Sequence, residues 1–283
     1  MSTTSLPERI PVSAYIRTLN AERCLRNVLQ GIVDLVDEIL IVDSGSTDQT
    51  RSIAKEFGAK IIDQPWLGWG HQKRVGEDAA RNDWLLDIDA DEVVTPELAR
   101  NIRQLFRSGA PSCPVYLIRH TQVFPSGRVY RHAGVRYRAK LYDRRAIRIP
   151  AHTAWDQFKV PRHLKARKLP GPLLHYGFSD MGSLVRKQES ALNRLLQDIP
   201  KTDKRTISLK IFTIFPIMFL KKYFQQGLWR AGVEGFSYSM VSAFGAWLKH
   251  VKLYERDWIT PHALVTDQTA HERDDYYRGK KAA

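Results

Sequence analysis

Cysteine is nearly absent: the 283 residues hold two, Cys24 and Cys113. Two isolated thiols make neither a disulfide framework nor a metal cage, which points to a reducing compartment and two buried packing residues. Acidic side chains are also short, 30 Asp and Glu against 44 Lys and Arg, leaving a formal net charge of +14. Such a balance favours an anionic partner, whether nucleic acid, a membrane surface or a phosphorylated substrate. There is no Gly-x-Gly-x-x-Gly and no Walker loop, which argues against a dinucleotide enzyme or a P-loop ATPase. No apolar run reaches the roughly 20 uninterrupted residues of a membrane-crossing helix. Met1 to Pro7 lacks a basic stretch leading into an apolar one, so no signal peptide is expected and a cytoplasmic location is. Internal repeats and low-complexity segments are missing as well.

What is present is a globular composition, 43% hydrophobic, enough for one large domain or a domain with an appendage. The most informative stretch is Trp84-Leu85-Leu86-Asp87-Ile88-Asp89-Ala90-Asp91-Glu92, an apolar strand that ends in four carboxylates. Alternation along a strand sends Asp87, Asp89 and Asp91 towards one side. Acids so close need a proton or a divalent cation, and oxygen ligands with open positions suit Mg²⁺ or Mn²⁺ bridging a diphosphate. The competing reading is a solvated acidic strand end that caps a helix starting near Pro96.

Upstream, Ile10 to Arg17 reads as a strand, with Asn20 as N-cap of a helix that carries Leu25, Val28, Leu29 and Ile32. Ile39 to Val42 reads as a parallel strand covered on both faces. Ser46-Thr47-Asp48-Gln49 has capping-box spacing before Ile53, Ala54 and Phe57, and Gly58 closes that helix. Ala59 to Ile62 makes a third strand, Val75 to Ala80 a helix, and Trp84 to Ile88 a fourth strand. This βαβ alternation predicts an α/β nucleotide-binding sheet, with ligands outside the carboxyl ends of the strands. Thr18 to Glu22, Asp43 to Asp48 and Asp87 to Asp91 all fall at those ends.

From Val115 the chain turns basic and β-like: Val115 to Phe124, a turn at Pro125-Ser126-Gly127, Arg128 to Tyr142, then Ile147 to Ile149. Arg128, Arg131, Arg136, Arg138, Lys140, Arg144, Arg145 and Arg148 read equally as a cradle for an anionic group or as an exposed hairpin face. Met181 to Ile199 is an amphipathic helix. Ile207 to Leu220 is apolar but interrupted by Lys210 and Pro216, which suits lying in a membrane interface rather than crossing it. The aromatic residues from Tyr223 to Tyr254, flanked by Lys and Arg, fit headgroup-level anchoring, and fit a buried helical subdomain or dimer interface too. Residues from about Glu255 are polar.

Taken together, Tyr15-Ile16-Arg17-Thr18-Leu19-Asn20-Ala21-Glu22, Ile41-Val42-Asp43-Ser44-Gly45-Ser46-Thr47-Asp48, and Asp89-Ala90-Asp91-Glu92 followed by Thr95-Pro96-Glu97-Leu98 resemble the signatures of family-2 inverting glycosyltransferases. The chain is most similar to the bacterial branch that adds glucose or a related sugar to the lipopolysaccharide inner core. The resemblance implies a GT-A domain over residues 1–200 with an additional β-hairpin region, a C-terminal apolar, membrane-associated helical region over 201–255, and a polar tail over 256–283. It implies a UDP-sugar donor, a lipid-linked or cell-envelope glycan acceptor, and a place at the cytoplasmic face of the inner membrane. By the same resemblance Thr18, Asn20 and Glu22 line the nucleotide pocket, Asp43 accepts from uracil, and Lys73 offsets diphosphate charge. Asp89 takes ribose or metal, Asp91 takes metal, His175 completes the metal shell, and Asp87 has no assigned role.

The branch has His-Glu where this chain reads Ala151-His152-Thr153-Ala154-Trp155-Asp156, so the general base falls to Asp156 or His152, with Asp156 the first choice. A surface acid and an ordinary hydrogen-bonded histidine are the competing readings. Rival functions are a noncatalytic polyanion or nucleic-acid binder and a family member that binds sugar nucleotide without transferring it. The sequence carries no recognition helix and no RNA-binding signature, so no specific nucleic acid is expected.

Overall fold

Ile10–Thr18 becomes β1 because both of its faces are covered: Ile10, Val12, Ala14 and Ile16 on one side and Ser13 and Tyr15 on the other are buried. A strand buried on both faces belongs inside a parallel sheet. β1 indeed runs between β2 (Val36–Asp43) and β4 (Trp84–Asp87), parallel to both, and β3 (Lys60–Asp63) extends the sheet beyond β2. The computed structural model describes residues 9–259, apart from Arg131 and Ala154. Three helices make the crossovers: α1 (Glu22–Gln30), α2 (Thr50–Glu56) and α3 (Trp69–Ala79). β5 (Glu92–Val94) and α4 (Pro96–Leu105) follow, with the Thr95 hydroxyl accepting from the Leu98 amide as N-cap.

The second half is antiparallel where it joins the first. β7 (Arg136–Asp143) pairs with β4, β6 (Val115–Gln122) pairs with β7, β8 (Ala166–His175) runs parallel to β6, and β5 closes against β8. The order is β3-β2-β1-β4-β7-β6-β8-β5 in one sheet. The pairing of β5 with β8 brings His175 opposite Glu92, although 83 positions part them in the chain. Glu77 of α3 locks the two halves together. It accepts from the Tyr142 hydroxyl, the Ile149 amide and Arg148, while Tyr142 also meets Tyr15 at 2.6 Å.

Several local expectations change. Asn20 does not cap α1: it takes φ +49°, and its side chain accepts from the Thr47 amide. The α1 start is capped from outside, Asp48 accepting from the Glu22 amide and Thr50 from the Ala21 amide. The Ser46–Gln49 capping box does not form, since α2 begins at Thr50 and Asp48 accepts from the Thr50 amide. Short polar side chains satisfy whichever orphan amide the tertiary structure offers. The expected strands at Arg128 to Tyr142 and Ile147 to Ile149 shrink to β7, while β5 and β8 form without a period-2 signal. The basic stretch divides accordingly. Arg144, Arg145 and Arg148 are tied to Asp83, Asp143, Asp78 and Glu77 as structural pairs, and Arg131 lies outside the described residues.

The C-terminal part is helical as expected: α5 (Met181–Asp198), α6 (Lys204–Leu220), a π-turn at Lys221–Gln225, a 3₁₀ turn at Leu228–Ala231 and α7 (Gly232–Trp258). Leu228 and Ala231 pack with Phe124, Ala133, Phe178 and Leu184, so these helices share a small core with the sheet part. No helix among the described residues is long and apolar enough to cross a membrane. Of the polar tail, Arg256–Trp258 belongs to α7 and residues 260–283 lie outside the described residues.

Candidate active site

The carboxyl ends of β1 and β4 and the end of β8 open on one cavity of about 910 Å³, lined by Arg17, Thr18, Asn20, Asp89, Asp91 and His175 among others. Two aromatic rings, Trp66 and Trp69, form another part of its wall in an edge-on pair 5.2 Å apart. Arg17 lies over the Trp69 ring at 4.1 Å.

Beneath the cavity the acids of β4 meet a nearly matched set of cations. Lys73, from α3, sits 2.8 Å from Asp87, 3.2 Å from Asp89 and 3.4 Å from Asp156. Lys140, from β7, sits 2.6 Å from Glu92, 3.4 Å from Asp89 and 3.8 Å from Asp87. Arg17 joins Asp89 at 3.2 Å and Asp156 at 2.7 Å. Burial alone would keep the Asp89 carboxyl protonated, but Lys140, Lys73 and Arg17 outweigh it and hold Asp89 well below the usual carboxylate range. Asp87 is different: burial wins there and raises its carboxyl above the ordinary value. Asp87, Asp89 and Glu92 are therefore balanced by the protein's own cations, Arg17 and Lys73 from the first half and Lys140 from the second.

Asp91 stands apart from that network. Its Oδ2 is 3.4 Å from His175 Nε2 and 3.2 Å from Lys187 Nζ, on the cavity wall. The orientation of His175 is fixed from behind. The Gln122 amide nitrogen donates to the Val123 and His175 carbonyls, so its oxygen faces His175 Nδ1, at 2.9 Å, and accepts from it. That hydrogen bond assigns the Nδ1 proton and leaves Nε2 aimed at Asp91. Gly177 makes room for the ring, since a Cβ there would come within 2.2 Å of His175 Cε1. No group of three or more His, Cys, Asp or Glu side chains placed to hold a cation occurs among the described residues. Asp91 and His175 are a two-donor set, which suits a cation completed by substrate phosphates rather than a closed protein cage.

With this geometry in place, the sequence profile of glycosyl transferase family 2 is found to match residues 13–165. The chain belongs to glycosyltransferase family 2. An uncharacterized glycosyltransferase of Rickettsia felis is 30% identical over 253 residues, 86% of this chain and 89% of that one. The lipopolysaccharide core biosynthesis glycosyltransferase LpsC of Rhizobium meliloti is 27% identical over 268 residues, covering 93% and 99%. A glucosyl-3-phosphoglycerate synthase from Mycobacterium tuberculosis, solved with Mn²⁺, UDP and glucosyl-3-phosphoglycerate, overlaps 68% of this chain and 81% of its own at 18% identity and a TM-score of 0.45.

For a family-2 enzyme, the expected site residues fall in two groups. Thr18, Asn20, Asp89, Asp91 and His175 line the cavity. Asp43, Lys73, Glu22 and Asp156 lie around it, in structural bonds. Asp43 accepts from the Thr18 hydroxyl at 2.7 Å, the Ser46 hydroxyl at 2.6 Å, the Ser46 amide at 2.9 Å and Arg51 at 3.2 Å. Glu22 accepts from the Gln49 amide. Lys73 is 1% exposed beneath Asp89. Asp156 reaches Arg17 because the Thr153 and His152 carbonyls accept from the Trp69 and Gly70 amides, pinning its loop to the start of α3. A Cβ on Gly70 would lie 2.1 Å from the Pro150 carbonyl oxygen, so only glycine allows that approach.

Sequence reasoning assigned no role to Arg17, Gln122, Lys187 or Glu92, nor to Lys140 beyond its place in the basic stretch. Arg17 was open to detection as a charge inside an otherwise apolar strand. Lys140 and Gln122 gave no signal, because their partners come from distant strands.

Acid should unfold this site. Burial works to raise the Glu92 carboxyl, but Lys140 outweighs it, with His120 adding, and the group is held near 2. A depressed carboxyl contributes stability that is present above its unfolded value, about 4.3, and is lost as pH falls through the folded one. Asp89 and Asp91 are depressed too, against the single raised group Asp87. Urea midpoints should therefore stay level near neutrality and fall steadily from about pH 4.3 towards 2. A midpoint that rises across that window would contradict the pairing.

Proposed function

We propose that the chain moves a hexose from a UDP-sugar to a hydroxyl of a lipid-linked or cell-envelope glycan of the lipopolysaccharide-core kind, with inversion, using Mg²⁺ or Mn²⁺. One observation carries this reading: Asp91 and His175 Nε2 side by side on the wall of an open cavity, with the histidine oriented by Gln122. A carboxylate with an imidazole nitrogen fits Mn²⁺ readily and Mg²⁺ through the carboxylate. When bound, the cation would neutralise the departing nucleoside diphosphate.

The residues of the chain supply the rest. Thr18 and Asn20 offer polar contacts to the nucleotide, Lys187 beside Asp91 brings positive charge to the diphosphate, and the Trp66 and Trp69 rings screen the reacting carbon from water. Asp156 is the proposed base. Arg17 and Lys73 keep it ionised, and its carboxylate would take the proton of the acceptor hydroxyl as that oxygen bonds to the anomeric carbon and UDP departs.

Incubation with a panel of UDP-hexoses and Mn²⁺ should release UDP with one of them in a metal-dependent way. Asp156→Asn should slow turnover by about 10² to 10⁴ while leaving UDP affinity in place. Silence across the panel would sink the donor assignment, and an unchanged Asp156→Asn turnover would remove this residue as base.

The acceptor reading places the α6–α7 hairpin on a membrane surface. Phe212 and Val233 are 82% and 83% exposed, and Leu209, Ile217, Leu220, Phe224 and Phe236 are exposed beside them. Lys204, Arg205, Lys210, Lys221, Arg230 and Lys249 lie on the same segment, which fits interfacial docking on anionic lipid. Phe212→Glu with Val233→Glu should reduce partitioning onto anionic vesicles at least about tenfold, each apolar group being worth roughly 1.5–3 kcal/mol when buried. Unchanged flotation with vesicles would rule the hairpin out as the docking face.

A further inference from the structure

The cations at the floor of the cleft are matched by carboxylates, but a second group further along β7 is not. Arg138 lines the cavity with Asp89 and Asp91, and its Nε is buried without a hydrogen-bond partner. In the β6–β7 register Arg138 stands opposite Ile118 and Arg136 opposite His120. Directly opposed residues of an antiparallel pair share a face, so both arginines belong to the face of His120, whose ring lies 4.5 Å from that of His175.

Lys222 completes the group from the π-turn that follows α6. It is 7% exposed, and the charged groups acting on it are both cations, Arg136 and Lys221. Its ammonium lies 5.8 Å from the centre of the Tyr238 ring. No ion pair joins Arg136, Arg138 or Lys222 to any other described residue. Burial, with Arg136 and Lys221 adding, pushes the Lys222 ammonium down to about 8.

Holding a lysine out of water beside an arginine, with no anion, is costly. A structural role gives no return for it, since Tyr223, Tyr238 and Phe124 around this turn would pack an apolar side chain as well. A doubly charged anion removes the cost. Its oxygens suit two planar guanidinium forks and one ammonium.

We propose that Arg136, Arg138 and Lys222 form a subsite for a phosphate monoester on the acceptor, set between the transfer cleft and the apolar hairpin. The word acceptor rests on the glycosyl-transfer reading; the anion chemistry does not. The order along the molecule fits an amphiphile. Arg138 is in the cleft wall, Lys222 lies two positions beyond Leu220, the exposed apolar end of α6, and Arg136 lies on the strand between. A ligand with acyl chains on the hairpin and a phosphate on these cations would present its sugar hydroxyl at the cleft.

The test uses the full chain, with glycerol 3-phosphate followed by calorimetry, and flotation with phosphatidylcholine vesicles doped with phosphatidic acid or, at equal surface charge, phosphatidylglycerol. The wild type should prefer phosphatidic acid, and Arg136→Gln with Lys222→Met should lose about tenfold of that binding, which is about 1.4 kcal/mol. Affinity for UDP should stay unchanged, as should binding to phosphatidylglycerol. Lys222→Met alone should raise Tm by roughly 2–4 °C, because a buried unpaired charge is gone; a lower Tm would mark a structural lysine and count against the subsite. Arg136→Gln, at an exposed position, gives the same reading should the double variant misfold.

Parallel loss of glycerol 3-phosphate would assign the site to free as well as lipid-borne phosphate, and loss on vesicles alone to the headgroup; both support it. Equal binding of wild type and variants to both probes overturns it, and so does a matching loss of UDP affinity, which would give these cations to the donor. Should the wild type fail to bind UDP yet keep its preference for phosphatidic acid, the transfer reading falls and the subsite stands.

Discussion

Asp91→Asn is expected to lower kcat/KM by about 10³-fold or more while leaving the thermal midpoint almost where it was. The two halves of this expectation come from the same geometry. Asp91 is the carboxylate that faces the cavity beside His175 Nε2, so its charge is the part of the acidic run still available to a cation. Its partners are His175, which Gln122 holds in place whatever the charge on Asp91, and Lys187, which is 52% exposed and can turn to water, so that the Lys187 pair is worth under about 1 kcal/mol. Asparagine keeps the shape and buries no orphaned charge. Mn²⁺ affinity, read from the spectrum of the bound ion rather than from turnover, should fall in parallel. The comparison is Asp89→Asn, which also loses activity but leaves Arg17, Lys73 and Lys140 short of a carboxylate and should cost several times more stability. Equal Mn²⁺ affinity in Asp91→Asn and wild type would mean that the cation, if required, is held elsewhere.

That asymmetry between Asp89 and Asp91 was only half legible in the sequence. The run from Trp84 to Glu92 announces a strand that ends in acids, and the chain order of β1, β2 and β4 follows from hydrophobic runs of strand length, so the α/β sheet and the edge carrying the site could be read directly. Period-2 alternation could place Asp87, Asp89 and Asp91 on one side, and left them looking like mutually repelling ligands. What it could not show is that β7 runs antiparallel to β4 and delivers Lys140 among them. Pairings between strands remote in sequence are set by tertiary packing, and Arg136 to Asp143 has neither the length nor the alternation that would name its neighbour. His175 was an isolated histidine, a kind of residue that is more often structural than a ligand; the β5–β8 pairing and Gln122 are what turn it towards Asp91. Asn20 misled for a related reason. Its composition suits an N-cap, but the 46–50 loop supplies better-placed acceptors for the start of α1, so Asn20 is released to hold Thr47.

Lys140→Met should therefore be among the most damaging single changes in the molecule, although Lys140 does not line the active-site cavity. Its ammonium is 1% exposed and lies 2.6 Å from Glu92, 3.4 Å from Asp89 and 3.8 Å from Asp87. Methionine fills the space but leaves the buried carboxylates with one cation fewer. Breaking a buried pair from one side costs about 3–5 kcal/mol, or roughly 6–20 °C of Tm for a chain of this size. The sign of the acid response should reverse as well. In the wild type Lys140 outweighs burial at Glu92 and holds it low. Without that charge burial dominates, the folded carboxyl rises above its unfolded value, and the folded state takes up protons first. Stability of the variant should then increase as pH falls from 7 towards about 5, where the wild type is level. Adding Glu92→Leu removes the stranded acid and should recover part of the loss, since replacing both members of a buried pair by apolar groups is far milder than removing one. Urea unfolding of the wild type, the single and the double variant at two pH values reads all three outcomes, and a Lys140→Met midpoint that matches wild type at neutrality would show that these acids are protonated rather than paired.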